Sequence, residues 1–169
     1  MEVVGLTAAA ISIAKTAQMV ARLVKLLYRV AKNSSSVGNQ MQYFAINFRN
    51  TVDVVKVAME ALERTCQDNI DSPVIRHIVE MNQLHSLQRE SWFLQILVKD
   101  LRHEIPNIES RWDVITSFRW TRMKPEMEAL FAPMTSLKTN LNLMINVVLL
   151  GNLSARTGES RTAELERQM

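Results

Sequence analysis

Residues 1–32 read MEVVGLTAAAISIAKTAQMVARLVKLLYRVAK, and both their charged and their apolar residues recur at the spacing of an α-helix. Five cations and one glutamine follow one another in steps of three or four residues, which places them on one stripe: Lys15, Gln18, Arg22, Lys25, Arg29 and Lys32. The opposite stripe is apolar: Ile13, Ala17, Val20, Val24, Leu27 and Ala31. This pattern predicts an amphipathic helix that can pack on a protein core or lie on an anionic bilayer, and the pattern alone permits both.

The composition of the whole chain favours long helices in a single domain. Its 169 residues are 47% hydrophobic and include only four glycines and four prolines, so turns are scarce. The formal net charge is +3, but the first 33 residues hold five cations against Glu2, so the remaining chain sums to −1. The basic character therefore belongs to the first helix. A lone cysteine, Cys66, excludes an internal disulfide framework and fits a reducing compartment.

The breaks in the apolar pattern predict an all-α fold, a helical bundle of four long helices plus one short helix. After the first helix we expect a break at residues 33–38, a second helix ending near 67, a third over 73–103, a short fourth around 108–118, a connection at 119–124 and a closing helix over 125–151. Serines 34–36 are expected to cap the second helix, and Pro133 should kink the closing helix or split off its first turn. The bundle would occupy residues 1–153, and 154–169 would be a polar tail or the start of a linker.

The aromatic and sulfur-containing residues are expected mainly in the core. The short fourth helix contains Ile108, Trp112, Ile115 and Phe118, and its aromatic side chains should plug one end of the bundle. The methionines should fill the interior. Residues 111–124 interleave tryptophans with cations, as a surface that stacks bases would, but flanking acids weaken the local field. We therefore expect no nucleic-acid partner.

No pattern in the chain indicates catalysis. A nucleophilic Cys66 would require an adjacent histidine, and no spacing pairs the two. His77 and Glu80 have the spacing of a helical ligand pair, but further patterned ligands are missing. No glycine-rich loop could cradle a phosphate. The sequence thus predicts no catalytic residues, no metal, no cofactor and no enzymatic activity.

The apolar opening is too short for a simple membrane span. Val3 to Ala14 covers about 18 Å, whereas a span needs about 20 apolar residues. Its apolar residues favour insertion by about 3 kcal/mol, which one central lysine such as Lys15 cancels. A signal peptide would begin with cations and end at a cleavage site, whereas this chain begins with Glu2 and continues as one helix.

Two stretches resemble a known family. One is residues 1–14, MEVVGLTAAAISIA, where an acidic residue precedes small and apolar ones. The other comprises 118–120 (FRW), 124–130 (KPEMEAL) and 137–143 (LKTNLNL), a tryptophan followed by a basic turn and a closing helix. In these stretches the chain resembles the fungal HeLo-like N-terminal domains of cell-death receptors. Plant resistance-protein coiled-coil domains and the mixed-lineage kinase-domain-like executioner have similar bundles.

The resemblance implies that the N-terminal helix is held on the bundle at rest and released on oligomerisation to permeabilise a membrane in programmed cell death. The membrane-inserting residues would be Val3, Val4, Gly5, Leu6, Ala9, Ile11 and Ile13. The cations that would bind lipid headgroups are Lys15, Arg22, Lys25, Arg29 and Lys32. The implied partners are anionic lipids, further copies of the chain, and a C-terminal or separate nucleotide-binding regulatory module. The protein would be cytoplasmic at rest and at the plasma membrane when activated.

A different class of function is also open at this point: a helical interaction or oligomerisation module in a signalling receptor that does not contact lipid. The energetics of the first helix favour a closed monomer in either case. Burying about ten apolar side chains stabilises it by on the order of 15 to 30 kcal/mol gross, against about 5 kcal/mol from five cations on anionic headgroups.

Overall fold

The computed structural model describes the backbone of residues 2–68, 83–108 and 113–168, and the side chains of residues 7–65, 83–108, 113–151 and 153–154. The helices in these ranges are α1 (Glu2–Lys32), α2 (Gly38–Asp68), α3 (Gln83–Glu104), the 3-10 helix η1 (Ile105–Asn107), α4 (Asp113–Ala129) and α5 (Phe131–Gln168). No strand occurs in these ranges. The all-α bundle predicted from the sequence is therefore confirmed, with α4 and α5 joined almost end to end.

Four long helices surround the core in the order α1, α2, α5, α3. Helix α1 packs on α2 and α3, which both also pack on α5. Helices α1 and α3 run in the same direction, because Thr16 lies beside Ser91 while the end of α1 meets η1 and the start of α4. Helices α2 and α5 run the opposite way. Helix α1 is thus an integral helix of the bundle and packs on two neighbouring helices.

The apolar stripe predicted for the first helix lies in the core. All six of its positions are buried, together with Ala9, Ala10, Leu23 and Val30. Helices α3 and α5 also bury apolar residues at steps of three and four or seven: Leu84, Leu87, Leu94, Val98 and Leu101 in α3, and Met134, Leu137, Leu141, Met144 and Val148 in α5. Leu130, in the turn before α5, is buried with them. Six methionines are buried: Met41, Met59, Met123, Met127, Met134 and Met144. Their predicted role as core filling is confirmed.

The plug at one end of the bundle consists of other residues than predicted. Phe118 is 74% exposed, so its predicted place in the plug is wrong, and Trp112 lies outside the described residues. Of the two isoleucines predicted in the same short helix, Ile108 is buried and Ile115 is 40% exposed. Trp120 fills the space instead, at 1% exposure, and its ring meets Phe44 edge-on at 5.6 Å. Phe44 also stacks on Phe131 at 5.4 Å, so aromatic rings join α2, α4 and α5.

The predicted connection at 119–124 is also wrong, because α4 continues through it to Ala129. The helix continues past Pro125 because four of its residues, spaced at steps of three and four, are buried in the core: Thr116, Trp120, Met123 and Met127. The proline removes one hydrogen bond to the carbonyl of Thr121. Both residues are exposed, so water can reach that carbonyl. The chain turns only at Leu130.

Helix α5 neither begins nor ends as predicted. Pro133 lies in the first turn of α5, where a backbone N–H has no acceptor within the helix, so the proline removes no hydrogen bond. The break between α4 and α5 lies before Pro133, at Leu130. Gly151 was expected to end the helix, yet α5 continues to Gln168. A glycine inside a helix costs only about 1 kcal/mol, so Gly151 alone does not end α5.

The loop between α1 and α2 uses its serines differently from the prediction. They do not cap α2: Ser34 donates to the carboxylate of Asp113 at 3.0 Å, and Ser35 donates to its other oxygen. Ser36 shares a hydrogen bond with Ser117 at 2.6 Å. The loop is therefore tied to the first turn of α4. The predicted end of α2 is confirmed to within one residue, whereas the predicted start of the third helix at Pro73 lies outside the described residues.

Candidate membrane-contacting helix

The cationic stripe of α1 faces solvent. Lys15, Arg22, Lys25, Arg29 and Lys32 are all exposed. The ion pairs found in the described part of the chain lie elsewhere and are all exposed i,i+4 pairs: Arg49 with Asp53, Arg64 with Glu60, and Lys124 with Glu128. The five cations of α1 have no carboxylate partner among the described residues, so their charge is available to a ligand or a surface.

The structure separates the predicted membrane-inserting residues into two groups. Ala9 and Ile13 are buried in the core at 0% and 1% exposure, whereas Ile11 is 64% exposed. Val3, Val4, Gly5 and Leu6 belong to α1 by their backbone, and their side chains lie outside the described residues. Ala9 and Ile13 can reach lipid only if α1 leaves its neighbours, but Ile11 is already at the surface.

Helix α1 is fastened to α3 by a set of hydrogen bonds that we call the polar clasp, made by Ser12, Thr16, Ser91 and Gln95. The Thr16 hydroxyl lies 3.1 Å from the carbonyl oxygen of Ser91 and 3.0 Å from that of Ser12, so it can donate to either. The Gln95 amide donates to Thr16 at 3.1 Å and to the Ser12 carbonyl at 3.2 Å. Thr16 and Ser91 are buried, at 3% and 0% exposure. Polar bonds thus hold this helix pair within an otherwise apolar interface.

A second polar contact continues from the clasp across α3 to α5. Asn140 donates to the Glu90 carboxylate at 2.8 Å, and Ser136 lies 3.4 Å from the same oxygen. The other Glu90 oxygen and the Ser91 hydroxyl are buried and have no hydrogen-bond partner among the described residues. Together with the polar clasp, these contacts form a polar layer through α1, α3 and α5. Separating the helices would let water satisfy both unpartnered groups.

This layer was not predicted from the sequence. The buried positions of α3 follow steps of three and four, and Ser91 occupies the step between Leu87 and Leu94. Its hydroxyl makes no hydrogen bond with a described residue, because Thr16 bonds to the backbone carbonyl of Ser91. The signal was therefore Thr16, a polar residue adjacent to the stripe residue Ala17.

One cation of the stripe, Lys25, also lines a groove between α1 and α2. The groove has a volume of about 350 Å³. Its floor is apolar, and Lys25, Arg49 and Lys56 surround it together with Asp53 and Tyr28. Since Asp53 is paired with Arg49, the groove carries an excess of positive charge.

The other candidate sites from the sequence remain apart. His85 and His103 are exposed, and no group of three or more metal-ligating side chains forms in the described ranges. His77, Glu80 and the side chain of Cys66 lie outside those ranges. In the basic stretch of α4, Trp120 is buried and donates to Gln40 at 3.1 Å, so its ring is not available to stack on a base.

Comparison with protein-family models, curated proteins and solved structures finds no match. Any functional conclusion therefore depends on the residues of this chain. None of the described helices is both long enough and apolar enough to cross a lipid bilayer.

Proposed function

We propose that this chain is a membrane-targeting cell-death effector domain of the HeLo-like type. Helix α1 is held in the bundle at rest and released on oligomerisation to permeabilise an anionic membrane. The partners are anionic lipids, other copies of the chain and a C-terminal or separate nucleotide-binding module, and the protein moves from the cytoplasm to the plasma membrane. The observation that carries the proposal is the division of α1 between five exposed cations without carboxylate partners and a fully buried apolar stripe.

The polar clasp supports the release step. Its hydrogen bonds exchange for bonds to water when α1 and α3 separate, so each contributes only about 0.5 to 1.5 kcal/mol to holding the pair together. An apolar contact that was packed on both helices and left no buried polar group unpaired would oppose separation more strongly, because opening it would expose apolar surface to water. The α1–α3 interface is therefore easier to open at Thr16 than at a purely apolar turn.

A reversible cross-link between α1 and α3 tests the proposal. Ser12→Cys and Gln95→Cys, in a Cys66→Ser background, place two thiols where the side chains approach within 3.5 Å. A short cleavable thiol cross-linker would then hold the helices together. We expect the cross-linked protein not to release dye from phosphatidylserine-containing liposomes, and cleavage of the linker to restore the release. Equal dye release by the linked and the cleaved protein would overturn the proposal.

A charge reversal provides an independent variant. Lys15→Glu changes an exposed residue and should abolish dye release without unfolding the bundle. It is cleaner than deletion of residues 1–14, because the deletion also removes Ala9 and Ile13 from the core. Circular dichroism and thermal unfolding of Lys15→Glu check that the fold is intact.

A second candidate function is a non-lipid interaction module, and a specific observation favours it. The outer side of α5 carries Leu143, Val147, Leu150 and Leu153 in steps of four, three and three, each between 40% and 64% exposed. Such an apolar stripe suits a helix of another protein. Self-association by light scattering, with no dye release at any protein concentration, would assign the chain to this class.

A further inference from the structure

The outer side of α3 carries a second stripe that continues the cationic surface of α1. Arg89, Trp92, Ile96 and Lys99 follow one another in steps of three, four and three, so they share one side of the helix. All four are exposed, and Trp92 is 62% exposed despite its size. A large exposed aromatic residue between two cations requires an explanation beyond packing.

The two stripes lie side by side. Thr16 and Ser91 join the helices by a hydrogen bond, and their sequence neighbours Lys15 and Trp92 are both exposed. Because α1 and α3 run in the same direction and turn their buried stripes to a common core, their exposed stripes emerge on the same outer surface. We call this surface the α1–α3 face and define it by Lys15, Arg22, Arg89, Trp92, Ile96 and Lys99.

The charges on the α1–α3 face are predominantly positive. It presents four cations, none of which forms an ion pair with a described residue. Of the carboxylates of α3, Glu90 turns towards α5 and Glu104 lines a cleft beside α4. The exposed Asp100 follows Ile96 by four residues and adds one negative charge beside the four cations. The exposed histidines His85 and His103 lie on the same side of α3.

We propose that the α1–α3 face docks the closed bundle on an anionic bilayer before α1 is released. The inference rests on the proposed function and adds a first step to it. Cations attract anionic headgroups, and the amphipathic ring of tryptophan is favoured at the boundary between headgroups and acyl chains. Trp92 and Ile96 therefore enter that boundary while the four cations contact phosphates, and the apolar stripe of α1 stays in the core.

Binding to vesicles separates this step from permeabilisation. The full chain is sedimented with phosphatidylcholine vesicles that contain or lack phosphatidylserine. We expect binding that requires phosphatidylserine, and a loss of about 30-fold in the double variant Arg89→Glu/Lys99→Glu. The double variant Arg122→Glu/Lys124→Glu on α4 changes the net charge equally and should bind as the parent does. Equal loss in both double variants, or no loss in the first, would overturn the α1–α3 face.

The fluorescence of Trp92 gives a second readout that does not depend on charge. Vesicles with brominated acyl chains should quench the tryptophan emission of the parent protein, and Trp92→Phe should remove this quenching. Quenching that persists unchanged in Trp92→Phe would contradict the proposal, as would self-association through this face with no vesicle binding.

The cross-linked protein distinguishes failure of docking from failure of the proposed function. With α1 and α3 joined, vesicle binding should be retained while dye release is lost. Binding without dye release from the cleaved protein would refute permeabilisation and leave docking intact. Dye release without a contribution from Arg89, Trp92 or Lys99 would refute docking alone.

Discussion

Thr16 is a polar residue at a buried position of α1, where an apolar residue is expected. The hydrogen bonds of its hydroxyl explain why a polar residue fits there. It lies within hydrogen-bond distance of the Ser91 carbonyl and accepts the Gln95 amide. A buried hydroxyl without such partners would destabilise the fold by about 1 to 3 kcal/mol. The bond between two helices thus replaces the packing that an aliphatic side chain would provide, and it fixes the register of α1 on α3.

Replacing Thr16 by valine should weaken this contact specifically. Thr16→Val keeps the shape of the side chain but removes the hydroxyl, so Gln95 loses one acceptor. We expect the free energy of unfolding in urea to fall by about 1 kcal/mol, and dye release to become faster because α1 is held less firmly.

Thr51→Val is the matched control. The Thr51 hydroxyl bonds only to the Asn47 carbonyl of its own helix, at 3.0 Å, so the same change should alter stability by less than about 0.5 kcal/mol. Equal effects of the two substitutions would show that the polar clasp contributes nothing particular.

At the scale of single residues, the sequence predicted the charges better than the hydrogen bonds. The five cations of α1 could be placed outside because they oppose a long apolar stripe, and all five are exposed. The partners of Thr16 could not be predicted, since Ser91 is 75 residues away and only the packed bundle brings the two together. Trp92 could have been placed outside, because it lies next to the buried position 91.

At the scale of elements, the link between the α1–α2 loop and α4 contains a carboxylate whose pKa is lowered, that of Asp113. The Ser35 hydroxyl, as the largest influence, lowers the pKa of Asp113 from its ordinary value near 3.8. Ser34 and Ser36 act in the same direction, whereas burial opposes them. The carboxylate also lies in the first turn of α4, where a negative charge complements the helix dipole.

This lowered pKa predicts the pH range in which the link stabilises the bundle. Because the pKa of Asp113 is lower in the folded chain, its stabilising effect is complete above the unfolded value, about 3.9, and is lost as the pH falls through the folded value. Asp113→Asn should therefore lower the melting temperature at neutral pH, and the difference from the parent should shrink to nothing in strong acid.

The control for this titration is Asp53→Asn. Asp53 makes only an exposed pair with Arg49 at 3.8 Å, so its replacement should change the melting temperature little at any pH. A difference between the parent and Asp113→Asn that grows as the solution is acidified would contradict the assignment.

At the scale of elements, the sequence predicted α1 and α2 well because long apolar stripes end there in clear breaks. Helix α4 was predicted poorly because Pro125 and a run of cations are typical of a connection. The core overrides that local signal, since Trp120 and Met123 before the proline and Met127 after it are all buried. Gly151 also misled, because one glycine costs a helix only about 1 kcal/mol and does not by itself end it.

In the whole molecule, α1 contacts both α2 and α3, so its release would open two interfaces at once. Four of the ten buried apolar residues in the described part of α1 are alanines, and the six larger ones are Ile13, Val20, Leu23, Val24, Leu27 and Val30. The burial of these six stabilises the closed form by about 9 to 18 kcal/mol gross. Five cations on anionic headgroups return about 5 kcal/mol. A single copy docked on a membrane therefore stays closed.

The burial of α1 stabilises the closed form by more than the headgroups return, and contacts between released helices must offset this difference. Permeabilisation should therefore depend steeply on how many copies share one vesicle. We expect the initial rate of dye release, at fixed phosphatidylserine content, to rise with more than the first power of bound protein per lipid. Vesicle binding should rise linearly over the same range, because docking through the α1–α3 face involves the closed monomer. The cross-linked protein should bind vesicles as the parent does. It should release no dye at any density of bound protein. A rate proportional to bound protein would mean that one released α1 is sufficient, and the requirement for oligomerisation would then be wrong.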